Sequence, residues 1–145
     1  MVSLGVDTNL VSFKSQRMPS VTLSSTESEM VAASFATKEC LYFRQTLAEM
    51  GARQKEATTI FIDNQSTIRW MENPIRQTER KHIAIRRMFN EEMQERKECN
   101  YEYINTKLNP ADYLTKGSQT VDAFKVFRAK FMANLGKDSA VAAKW

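Results

Sequence analysis

Three carboxylates in this chain stand where reactive groups are commonly placed. Asp63 ends an alternating run, Thr59-Ile-Phe-Ile, and Glu29 and Asp112 fall in the first turns of two helix patterns. An acid at the carboxyl end of an inner strand sits at the crevice where open α/β sheets hold ligands. Three such acids leaning over one sheet edge would form a hard-oxygen cluster suited to Mg²⁺ or Mn²⁺. Zinc is a poor fit, because the lone His82 and the widely separated Cys40 and Cys99 provide no ligand spacing. Two ions about 3.5–4 Å apart stabilise both the attacking and the leaving oxygen of a phosphodiester displacement.

Each acid also has a purely structural explanation. Thr26-x-x-Glu29 matches the capping box, in which the glutamate reaches back to a free backbone N–H, and Ser24-x-x-Glu27 matches it equally well. Asp112 sits where a negative charge complements a helix dipole. Aspartates after strands are common in turns, so Asp63 alone is weak evidence of chemistry.

Other side chains extend the chemical reading. Arg69, Arg76, Arg80, Lys81, Arg86 and Arg87 cluster around the middle of the chain, a pattern fit for phosphates. Glu79, Glu91, Glu92 and Glu95 interleave with them, which also describes a solvated helix face. Trp70 is expected in the core rather than stacked on a base. His82 is expected to be structural, at a helix start. The net charge of +4 and pI near 9.1 favour an anionic partner. The 145 residues suffice for one domain, and 42% hydrophobic with 26% charged content is an ordinary globular mixture. No apolar run approaches the ~20 residues of a membrane span, and the first residues lack a secretory pattern. The two cysteines are expected to be reduced, in an intracellular protein of cytoplasm or nucleus.

The elements that must position these groups follow in order. Residues 1–10 are poorly patterned, with Val2 and Leu4 at most a scrap of strand and Gly5–Asn9 a turn. Val11–Lys14 and Ser20–Leu23 alternate about a turn at Gln16–Pro19, predicting a hairpin. A long helix opens near Ser24 and stops at Gly51, with Met30, Ala33, Thr37, Cys40, Leu47 and Met50 on its apolar face. Next come the Asp63 strand, a short helix from Ser66, a charged helix from about Glu79 to Arg96, and a strand from Cys99 to Ile104. Asn109-Pro110 through Gly117 carries a short-helix signature. A final amphipathic helix uses Val121, Phe124, Phe127, Phe131 and Leu135. The order is α/β, with residues 11–136 as the domain, 1–10 irregular and 137–145 a loose tail.

Five ordered blocks carry a resemblance: Val21-Thr-Leu-Ser-Ser-Thr-Glu-Ser-Glu29-Met-Val-Ala-Ala33, Ile62-Asp63-Asn-Gln-Ser66, Asn73-Pro74, Arg80-Lys-His-Ile83, and Asn109-Pro-Ala-Asp112-Tyr-Leu-Thr-Lys116. Together they closely resemble the ribonuclease H domain of copia-type retrotransposon Pol polyproteins, over roughly residues 11–135. The resemblance implies a ribonuclease H-like mixed sheet flanked by helices. It also implies metal-binding catalytic acids at Glu29, Asp63 and Asp112, Glu27 remaining the capping residue. The implied reaction is Mg²⁺- or Mn²⁺-dependent hydrolysis of the RNA strand of an RNA–DNA hybrid, with a reverse transcriptase domain upstream in the same polyprotein and no membrane. Family members carry a further aspartate on a first strand, in a stretch like Ser-Asp-Ala-Asp-Trp. This sequence has no such stretch, and Asp7 lies in a turn pattern, so the expectation is an amino-terminally truncated domain lacking its first central strand. The competing expectation is a catalytically dead remnant that binds nucleic acid or a partner.

Overall fold

The computed structural model describes residues 2–4, 9–12, 24–72, 81–106, 109, 111 and 121. The chain divides into two compact units, one formed by Met1–Gln16 with Pro110–Trp145, the other by Arg17–Asn109.

In the first unit, strands β1 (Val2–Leu4) and β2 (Asn9–Ser12) pair antiparallel, with Leu4 opposite Asn9 and an irregularity between Val2 and Ser3. Asn9, expected in a turn, is a strand residue. The strand expected from Val11 begins at Asn9 and pairs with Val2–Leu4, while its expected hairpin partner, Ser20–Leu23, lies outside the described residues. Residues 13–23 lie outside the described set, as does the expected final helix except for Val121, which is helical and exposed.

The second unit is a mixed α/β layer. Helix α1 (Ser25–Glu49) packs on a parallel pair, β3 (Thr58–Ile62) and β4 (Cys99–Tyr103), which are joined through α2 (Gln65–Glu72) and α3 (Lys81–Glu95). Thr58 lies opposite Cys99 and Ile62 opposite Tyr103. Parallel neighbours cannot be joined by a tight turn, so the crossover through two helices is required by the pairing. Among the described residues no helix is long and apolar enough to cross a membrane.

Local chemistry sets the boundaries. Ser24 caps α1, its Oγ accepting the Glu27 N–H at 3.2 Å. At the other end Gly51, with φ of 82°, takes the left-handed conformation, and the Ala52 N–H returns to the Leu47 carbonyl at 2.7 Å. Helix α3 closes the same way on Lys97, φ 57°, with the Glu98 N–H reaching the Met93 carbonyl at 3.0 Å.

The core joins Met30, Val31, Ala33 and Cys40 of α1 to Ile62, Met71, Ile83, Cys99 and Tyr101. Trp70 is half-buried and packs against it, as expected. The 25 residues of α1 span about 37 Å, roughly twice the ~17 Å of a five-residue strand. Its last turns therefore overrun the sheet. That is why Leu47 is only half-buried and Met50 is 74% exposed, although both share the apolar periodicity.

Polar groups are enclosed in the same layer. The Thr37 hydroxyl, fully buried, lies 2.7 Å from the Tyr101 hydroxyl, 3.2 Å from Asn90 Oδ1 and 2.9 Å from the Ala33 carbonyl. Burial raises the Tyr101 pKa well above its ordinary value, keeping the phenol protonated. This network ties α1, α3 and β4 at one point, where an unpaired group would cost ~1–3 kcal/mol.

Candidate metal and nucleic-acid site

Asp63 follows β3 directly, and the chain turns at the next residue. Asn64 Oδ1 accepts the N–H groups of Ser66 at 3.0 Å and Thr67 at 3.3 Å, which makes Asn64 the cap of α2. Asp63 is thus held between a strand end and a capped helix start, half-buried. Glu29 lies in the second turn of α1, also half-buried.

The direction of α1 determines where these two acids fall. Cys40 faces Cys99 at the start of β4, while Thr37, one turn earlier, faces Tyr101 two residues further along. The helix therefore runs against the strands, and its first turns lie toward the strands' carboxyl ends. A direct contact agrees: the buried Thr67 of α2 donates to the Thr26 carbonyl of α1 at 3.5 Å. Glu29 is one turn beyond Thr26 and Asp63 four residues before Thr67. Both acids consequently belong to the same end of the layer. Asp112 lies outside the described residues, and among those described no three His, Cys, Asp or Glu side chains gather in a metal-holding group.

The basic residues divide. Arg69 and Lys81 are exposed on α2 and α3. Arg76 and Arg80 lie outside the described residues. Arg86 is half-buried, donates to Ser34 Oγ at 3.0 Å and stacks 5.2 Å from the Phe35 ring centre, so it fastens α3 to α1. Arg87 pairs with Glu91 one turn on. His82, the second residue of α3, is exposed.

Two clusters at the opposite end were not foreseen. Arg44 forks to Glu98 Oε2 at 2.7 Å, the Glu56 carbonyl at 2.7 Å, Thr58 Oγ1 at 3.0 Å and the Gln54 carbonyl at 3.3 Å. One guanidinium thus ties the end of α1 to the incoming loop and to both strands. Beside it the thiols of Cys40 and Cys99, remote in sequence, lie buried and unbridged with sulfurs 3.4 Å apart. The hydrogen bond from Cys99 is the main reason that the Cys40 thiol is lowered to about 7, with smaller help from Thr58 and Arg44 against the opposing effect of burial. Cys99, the donor, is pushed strongly upward and keeps its proton. Cys40 sat on a legible apolar face, but nothing in the sequence gave the strand register that brings Cys99 beside it.

No family model matches this chain, and no solved structure matches it. Over 106 residues, 73% of the chain, it is 36% identical to the retrovirus-related Pol polyprotein from transposon TNT 1-94 of Nicotiana tabacum. The matched stretch spans 8% of that polyprotein's length. The chain is therefore similar to one short segment of a transposon Pol polyprotein.

Proposed function

We propose that this chain is a ribonuclease H-like segment of a copia-type Pol polyprotein, acting on the RNA strand of RNA–DNA hybrids. The observation that carries the reading is the similarity to a transposon Pol polyprotein across most of the chain. The joint position of Glu29 and Asp63 at the strands' carboxyl end is compatible with it. Two half-buried carboxylates on elements that touch are a suitable oxygen-donor set for Mg²⁺ or Mn²⁺. Glu29 and Asp63 would hold the metal, with Asp112 as third ligand by its motif. Bound there, the metal would supply Lewis-acid activation of water and of the scissile phosphate.

The chain's own contribution is positional. The Asn64 cap fixes the backbone beside Asp63, so that its carboxylate starts from a defined place. Arg69 and Lys81, with Arg76 and Arg80 between them in sequence, attract the hybrid's phosphates through charge and shape rather than base identity. Arg86 also fastens α3 to α1 through Ser34 and Phe35. The competing reading is a remnant that binds hybrid without cleaving it.

A hybrid-cleavage assay with Mg²⁺ and with Mn²⁺ tests both. Cleavage that leaves 3′-hydroxyl and 5′-phosphate ends and disappears in Asp63→Asn is the expected result. Salt-sensitive hybrid binding without cleavage selects the remnant, and absence of both rejects nucleic-acid function.

A further inference from the structure

We infer that Cys40 and Cys99 form a peroxide-sensitive dithiol, closing to a disulfide that clamps α1 to β4. The sulfurs are 3.4 Å apart, and neither is bridged. A disulfide needs about 2.05 Å, so the pair must close by roughly 1.4 Å. Cys99 pairs in register with Thr58, so both strand starts and the helix frame the site.

The surroundings divide the labour. Cys99 donates its S–H to Cys40, which therefore carries the thiolate character, while Arg44 lies one turn along α1 and bonds Thr58 at 3.0 Å. Hydrogen peroxide, nearly as small as water, is the oxidant class that suits two thiols no more than 4% exposed. The Cys40 thiolate attacks one peroxide oxygen. The O–O bond breaks, hydroxide leaves, and Cys40 becomes a sulfenic acid. The Cys99 sulfur then attacks the sulfenic sulfur, its proton leaving with the hydroxyl as water. Overall two thiols and one peroxide give one disulfide and two waters. The closed ring spans positions 40 to 99, about 60 residues, a loop long enough to raise thermal stability on the order of 10 °C.

The chain has two cysteines, which simplifies the readout. The full chain is treated with hydrogen peroxide, unfolded in a thiol-alkylating reagent, and analysed by mass and non-reducing electrophoresis. Both thiols should be lost together, with a mass loss of two hydrogens, a faster-migrating monomer, a raised Tm, and full reversal by dithiothreitol. The rate should climb as pH rises through about 7. Cys99→Ala and Cys40→Ser should each abolish the fast monomer and the Tm rise. Thiols that stay alkylatable, cross-links only between chains, or a stable sulfinic acid on Cys40 beside an intact Cys99 would each overturn the proposal. None of these outcomes depends on nuclease activity.

Discussion

The two ends of the α1–sheet layer are built on opposite principles. At the strands' carboxyl end, Glu29 and Asp63 are half-buried carboxylates, and Thr67 of α2 donates to the Thr26 carbonyl of α1. At the strands' amino end, Arg44 satisfies four acceptors, a thiol pair touches, and two helices close on left-handed residues. Between them the Thr37–Tyr101–Asn90 network fixes the helix against the strands. One guanidinium ties down the amino end, while the carboxyl end sets Asp63 beside a capped turn, where the proposed substrate and metal would need access.

The largest effect should come from cutting the dense end. Arg44→Ala removes a guanidinium whose side chain is only 12% exposed and leaves two carbonyls, a hydroxyl and a carboxylate without their donor. Glu98 is 40% exposed and can recover water, which moderates the loss, so about 2–4 kcal/mol is expected. Denaturant titration measures it, and amide exchange should accelerate through residues 52–58 before it changes near Asp63. Equal acceleration at both ends would erase the contrast. Arg44→Lys should recover only part of the loss, because an ammonium cannot fork to four partners. Thr37→Val tests the middle. Shape is kept while the hydroxyl shared by Tyr101 and Asn90 disappears, at a cost of about 1–3 kcal/mol. A change below ~0.5 kcal/mol would mean that the buried partners re-pair without Thr37.

The same contrast explains what could be read from the sequence. Ser24, Gly51 and Asn64 act through their immediate neighbours, so the limits of α1 and the start of α2 were legible within a residue or so. Strand β3 was legible for the same reason, since Ile60 and Ile62 alternate with residues on the other face. Pairing was not legible. The pairing of Asn9–Ser12 depends on partners elsewhere in the chain, and Val2–Leu4 read as no more than a scrap of strand. Arg44 looked like any helical arginine, because its acceptors come from the loop after Gly51 and from Glu98. The contacts of Arg86 with Ser34 and Phe35 were equally hidden, because they come from another helix. Of the candidate acids, Asp63 and Glu29 were legible through the strand end and the helix start. Their shared end follows only from the antiparallel run of α1 against the strands.

The smallest expected effect refines the account of the dense end. Lys97 holds φ at 57°, a region that costs a residue with a Cβ about 1 kcal/mol, whereas Gly51 performs the same closure of α1 with no such penalty. Lys97→Gly should relieve that strain, while the unfolded chain gains freedom and gives part of the benefit back. A net stabilisation of about 0.5–1 kcal/mol is expected, read as a higher denaturant midpoint with an unchanged slope. Glu98, the next residue, is gripped by Arg44 and hydrogen-bonded back to Met93, so its position should survive the change. If stability falls instead, the lysine side chain contributes more to the α3–β4 turn than its backbone strain subtracts. The order at this end would then depend on side chains even where the backbone motif alone is sufficient to close a helix.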